Sequence, residues 1–100
     1  MSTSRREKIE ARNVNLPGHV RLVDAAMYEA MKRALLNVVP VESPGLTLAQ
    51  MRERLSAHLP EDLFPESAKV GWWAKTVQLD LEAKGLLVRE KTRPLRLRRA

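Results

Sequence analysis

The stretch from Ser67 to Arg89 constrains the fold more than any other part of the chain. Val70, Trp73, Ala74, Val77, Leu81 and the aliphatic stem of Lys84 recur at the i, i+3, i+4 spacing that gives a helix one apolar face. Ser67 precedes them as a suitable N-cap, because its hydroxyl can accept from a free amide of the first turn. Gly85 supplies the left-handed residue that ends a helix without a Cβ penalty. Leu86, Leu87 and Val88 follow, apolar and partly β-branched, and favour an extended chain. Helix, glycine, strand is the outline of the third helix of a winged helix-turn-helix running into its wing. At about 100° per residue, Trp72, Leu79 and Ala83 fall on the side opposite the core face. A second apolar stripe requires a cover, whether another part of the chain, a second subunit or a ligand.

Earlier segments supply the two helices such a fold needs. Asp24 is placed as an N-cap, with Val23 and Tyr28 as a hydrophobic staple, and Met27, Ala30, Met31, Ala34, Leu35 and Val38 mark one apolar face. Pro40 stops that helix, and Pro44 and Gly45 break the loop after it. Thr47 with Gln50 three residues on is a capping box, the most specific local signal in the chain. Leu46 is the staple partner of Met51 and is expected to add a short bridge to the wing. Leu48, Met51, Leu55 and Leu59 form the buried face of the second helix, which ends at Pro60. The connection from Pro60 to Glu66 is longer than the three or four residues of a DNA-reading helix-turn-helix, and its Leu63 and Phe64 are expected to plug the core. After the third helix, Leu86–Glu90 is expected to pair with Leu95–Arg98 across residues 91–94, with Leu95 and Leu97 inward and Arg96 and Arg98 outward.

The domain reading is a flexible basic arm over residues 1–13 and a single α+β, mainly α, winged-helix domain over 14–100. Pro17-Gly18 signals a turn just after that arm, and Val14 and Leu16 are expected to lie over Trp72 and Leu79 as their cover. No apolar run approaches the ~18 residues that cross a bilayer, and no apolar block follows the charges of the N-terminus as in a secretory signal. With no cysteine, a disulfide framework is excluded, and a cytoplasmic location is expected.

The combination of residues 23–31, 45–47, 59–65 and 71–85 resembles a small group of uncharacterised bacterial proteins with a winged-helix-like fold. The Gly71-Trp72-Trp73-Ala74-Lys75-Thr76 stretch is the distinctive part, and the resemblance extends over about residues 12 to 99. It implies the fold and a bacterial cytoplasmic origin, and it implies no activity or site.

Charge is unevenly placed along the chain. Residues 1–12 carry four basic and two acidic side chains, residues 13–83 seven and nine, and residues 84–100 seven and one. The net +6 therefore sits at the two ends, chiefly the last segment, which points to an anionic partner there. Catalysis finds no support. His19 and His58 are far apart, no pattern of metal ligands occurs, Ser43, Ser56 and Ser67 lack a nucleophile context, and Glu61-Asp62 reads as a solvated turn. Neither a cofactor, a metal, a membrane nor a small-molecule substrate is expected.

Two functional expectations remain. In a nucleic-acid binder, Lys69, Lys75, Thr76 and Gln78 would offer donors from the third helix, and Arg89, Lys91, Arg93, Arg96 and Arg98 would hold phosphates from the wing. Trp72, Leu79 and Asp80 on the same outer surface suit base readout poorly, so the grip expected on DNA is wing-led and salt-sensitive. In the alternative, a protein-interaction or homodimerisation module, Trp72, Leu79 and Ala83 are the anchors.

Overall fold

The computed structural model describes residues 7–65 and 68–100. The chain runs β1 (Lys8–Arg12), β2 (Val20–Asp24), α1 (Ala25–Val38), β3 (Leu46–Thr47), α2 (Leu48–Leu55), a single 3-10 turn (Ser56–His58), α3 (Val70–Ala83), β4 (Leu87–Glu90) and β5 (Arg96–Arg99). It is an α+β protein in which three helices pack with two small antiparallel sheets. One sheet is the hairpin β1–β2, in register Arg12↔Val20 to Lys8↔Asp24. The other has the order β3-β5-β4, with Leu46 opposite Leu97 and Glu90 opposite Arg96.

Local signals explain most of the helix ends. The Asp24 carboxylate accepts from the Met27 amide at 3.0 Å, and both halves of the Thr47–Gln50 capping box form, at 3.0 and 3.1 Å. Gly85 has a φ of +78°, its amide donates to Glu82 O, and the Leu86 amide donates to Leu81 O. This six-to-one plus five-to-two pair of bonds closes α3 as a Schellman motif. Ser67 lies outside the described residues, and the residue preceding the helix, Lys69, makes no side-chain cap.

Tyr28, Met31, Leu35, Met51, Leu55, Val77, Leu81 and Leu97 form the fully buried centre, joining all three helices to β5. Phe64 from the long connection is buried as expected and meets Trp73 edge to face at 6.3 Å, with Leu63 packed partly behind it. Gly45 carries the chain past β5. Its φ is +78°, and a Cβ there would fall 2.0 Å from the Leu97 carbonyl oxygen, so only glycine fits.

Several expectations are corrected. The segment expected as a flexible arm contains a strand, Lys8–Arg12, whose Ala11 is 2 % exposed, and its hairpin takes the fold away from a mainly helical chain. Val14 and Leu16 are exposed at the tip of that hairpin rather than laid over α3. The strand after Gly85 begins at Leu87, and Leu86 is exposed. Among the described residues, no helix is long and apolar enough to cross a membrane.

Candidate functional site

The hairpin β1–β2 lies along the outer face of α3. Strand alternation turns Ile9, Ala11, Arg21 and Val23 to one face, and Ala11 and Val23 are buried there. The loop between the strands is closed by an Asx turn, in which the Asn13 side chain accepts from the Asn15 amide at 2.8 Å, and by Gly18 at φ +88°. The backbone amide of Arg12 donates to Asp80 Oδ1 on α3 at 2.8 Å, which fixes the hairpin's height along the helix. The cover required by the second apolar stripe is therefore intramolecular.

This docking settles the position of the stripe residues. Leu79 is 7 % exposed beneath the hairpin, so it cannot serve as the anchor for a partner. Ala83 is exposed, next to the hairpin tip. Trp72 is 40 % exposed, against 9 % for Trp73, and the two rings meet edge to face at 5.2 Å. The helix phase predicted for the tryptophan pair holds.

Asp80 departs from the expectation of an outer-surface residue. It is fully buried, and its Oδ2 accepts from the Tyr28 hydroxyl and pairs with Lys84 Nζ at 2.8 Å. Lys84 Nζ also lies 5.3 Å from the centre of the Tyr28 ring. Burial, and then the hydrogen bond to Asp80, push the Tyr28 hydroxyl pKa well above its ordinary value. One carboxylate thus binds α1, α3 and β1 together. Sequence reasoning missed it because an aspartate at a single helical position carries no signal of a distant partner.

Between the hairpin and α3 a cleft of about 220 Å³ opens beside Trp72. Arg12, His19 and Arg21 line it from the hairpin, and Lys75 and Thr76 from the helix. The Arg21 guanidinium sits 5.6 Å from the centre of the Trp72 ring, a cation–π contact. Among the described residues that line the cleft there is no carboxylate. Glu10 approaches Arg12 only at 3.7 Å, with both side chains largely in water, where such a pair is weak. Arg12, His19 and Arg21 were absent from the candidates read from the sequence, since nothing local marks a hairpin that docks on a helix sixty residues away.

The remaining candidates divide. Lys69 is exposed at the start of α3, and Lys75 and Thr76 reach the cleft. Gln78 is buried and donates to Glu82 at 2.9 Å, so it is unavailable to a ligand. On the β4–β5 hairpin, Arg89 is paired with Glu82, Arg98 approaches Glu90 at 3.5 Å, and Arg96 donates to the Gly45 carbonyl at 3.2 Å. Lys91 and Arg93 are exposed at the turn, and Arg89 is exposed beside its partner Glu82. Three of the five residues expected to hold phosphates there, Arg89, Arg96 and Arg98, thus also make contacts within the fold.

The chain belongs to a family of unknown function, DUF6958, whose model matches residues 8–97, from the start of β1 into β5. No curated protein and no solved structure matches it.

Proposed function

We propose that this member of DUF6958 is a non-enzymatic winged-helix protein of the bacterial cytoplasm that binds nucleic acid through its phosphates. The order α1, β3, α2, α3, β4, β5, with β5 between β3 and β4, supports the winged-helix reading, β4–β5 being the wing. The observation that carries the functional reading is the carboxylate-free cleft beside Trp72, where Arg21 and Lys75 converge from β2 and α3. Two cations without an acid among them favour an anion over any neutral partner.

The same geometry changes how such a protein would dock. A winged helix that reads duplex DNA inserts its third helix into the major groove. Here the outer face of α3 carries the β1–β2 hairpin, with Leu79 buried beneath it and Gln78 occupied by Glu82. Backbone contact from the cleft, with Lys91 and Arg93 at the wing turn, replaces base readout. Binding is then weakly sequence-specific and falls steeply with salt.

The test is a fluorescence-anisotropy titration of labelled oligonucleotides against the wild type and an Arg21→Ala/Lys75→Ala variant over a range of salt. Loss of two phosphate contacts lowers the slope of log affinity against log salt by about 1.4–1.8. Absence of binding at low salt, or an unchanged slope, defeats the reading.

A second reading is an interaction or homodimerisation module. Val20 and Leu22 support it, 38 % and 65 % exposed on the hairpin face turned away from α3. Sedimentation of wild type and Leu22→Glu separates it: a dimer lost in the variant supports it, and a monomer in both removes it.

A further inference from the structure

We infer that the cleft beside Trp72 accepts one unpaired nucleotide, its base against the Trp72 ring and its phosphate between Arg21 and Lys75. The inference rests on the phosphate-binding reading and adds the form of ligand the site selects.

Trp72 is the first argument. It is 40 % exposed, yet its edge-to-face contact with the core residue Trp73 fixes the ring in place. A large aromatic side chain held rigid at the mouth of a basic cleft is the chemistry that binds single strands: a platform for a π-face, with cations for the backbone beside it.

Arg21 is the second. Its guanidinium rests over the Trp72 ring at 5.6 Å, where a stacked base would lie. An exposed cation–π contact is weaker than stacking of a base on tryptophan, so a base displaces the guanidinium. The displaced group is then beside the phosphate that accompanies the base. Across the cleft, Lys75 completes the charge, and Thr76 offers a hydroxyl.

Size and access exclude the alternatives. About 220 Å³ is less than the ~300–1,000 Å³ that encloses a whole small ligand, and it suits a single ring with its phosphate at the rim. Bases inside a duplex offer no free π-face to a side chain at this depth. A single strand or a free nucleotide does.

Tryptophan fluorescence of the full-length chain at low salt tests the inference with three probes: an oligothymidylate, a duplex of equal length and thymidine monophosphate. The variants are Trp72→Phe and Trp72→Ala, checked for folding by circular dichroism. The oligothymidylate is expected to quench the wild type and to bind about tenfold or more tightly than the duplex. Trp72→Ala should weaken binding of the strand about 5- to 150-fold, the range expected for one lost stacking contact. Trp72→Phe should keep most of the affinity while losing the quenching, because the remaining Trp73 is in the core. A mononucleotide bound as tightly as the strand keeps the site and makes a free nucleotide its ligand. Duplex and single strand bound equally, or Trp72→Ala binding the strand like wild type, overturns the unpaired-nucleotide inference and leaves the phosphate reading intact. No binding of any probe at low salt overturns both.

Discussion

The Tyr28 hydroxyl donates to the fully buried Asp80 carboxylate, joining α1 to α3 at the level where the Arg12 amide of β1 meets the other carboxylate oxygen. Both oxygens are used, and Lys84 Nζ at 2.8 Å balances the charge. A charge buried this way is stable only while its partners remain, since removing one leaves an unpaired polar group out of water. Asp80→Ala strands the buried Tyr28 hydroxyl and the Arg12 amide together, and should cost about 3–5 kcal/mol in urea unfolding. Tyr28→Phe removes the hydrogen bond to the charged Asp80 acceptor and the one its hydroxyl accepts from Lys84 Nζ at 3.3 Å, and should cost about 1.5–3 kcal/mol. Equal small losses for both would mean that the network does not hold the hairpin to the helices.

The same pair sets an alkaline limit on stability. Burial and the neighbouring carboxylate raise the Tyr28 pKa in the folded protein above its ordinary 10.0. The folded chain therefore keeps a proton that the unfolded chain releases. The stabilisation is complete below pH 10 and is lost as pH climbs from there toward the folded pKa. Tyr28 is the one tyrosine in the sequence, so tyrosinate absorbance reports it alone. Its titration should be delayed in the native protein and should coincide with loss of helical circular dichroism. In Tyr28→Phe the alkaline decline should be shallower. A tyrosinate signal appearing at the ordinary pKa with the fold intact would contradict the burial.

The sequence made the helices legible because their determinants are local. The Thr47–Gln50 box, the Asp24 cap and the Gly85 stop each act within one turn, and all three form. The phase of α3 was readable too, with Trp73 in the core and Trp72 at the surface. The N-terminal hairpin was not. Its strand β1 alternates charged residues with only Ile9 and Ala11, a pattern too weak to separate from a disordered arm, and it becomes ordered by packing on α3. The cleft shares that fate, since it exists only once Arg21 and Lys75 are brought together across the chain. The arginines of β4 and β5 show the opposite limit: composition counts charges, but not the carboxylates and carbonyls that the folded chain sets beside them.

Gly45 is the backbone position most sensitive to a side chain. Gly45→Ala would force a residue with a Cβ to hold φ +78° and would drive that carbon to 2.0 Å from the Leu97 carbonyl oxygen. The left-handed conformation alone costs about 1–3 kcal/mol for a non-glycine residue, and the clash adds displacement of β3 from β5. Thermal unfolding should shift downward by about 4–8 °C for each kcal/mol lost. Gly18→Ala is the comparison, because its φ is +88° but nothing lies within 4 Å of the added carbon. It should cost the conformational part only. Equal losses at the two glycines would place the whole effect in backbone strain and none in the approach of β5.

The β4–β5 hairpin separates charge held by the fold from charge left in water within one turn. Arg96 donates to the Gly45 carbonyl and so ties β5 to the entry of β3, whereas Lys91 and Arg93 stand in water at the turn. Arg96→Ala should therefore lower stability by about 0.5–1.5 kcal/mol, the worth of one hydrogen bond or slightly more. Lys91→Ala/Arg93→Ala should change stability by no more than about 0.5 kcal/mol, as surface substitutions do. Under the phosphate-binding reading, the order reverses for affinity: the turn double variant weakens oligonucleotide binding at every sequence and flattens its salt dependence. Arg96→Ala, assayed well below its melting temperature, leaves both near wild type. Thermal melts run beside salt titrations decide the matter. Weakened binding in Arg96→Ala without any loss of stability would return that arginine to the ligand and break the division drawn here between the wing's two kinds of cation.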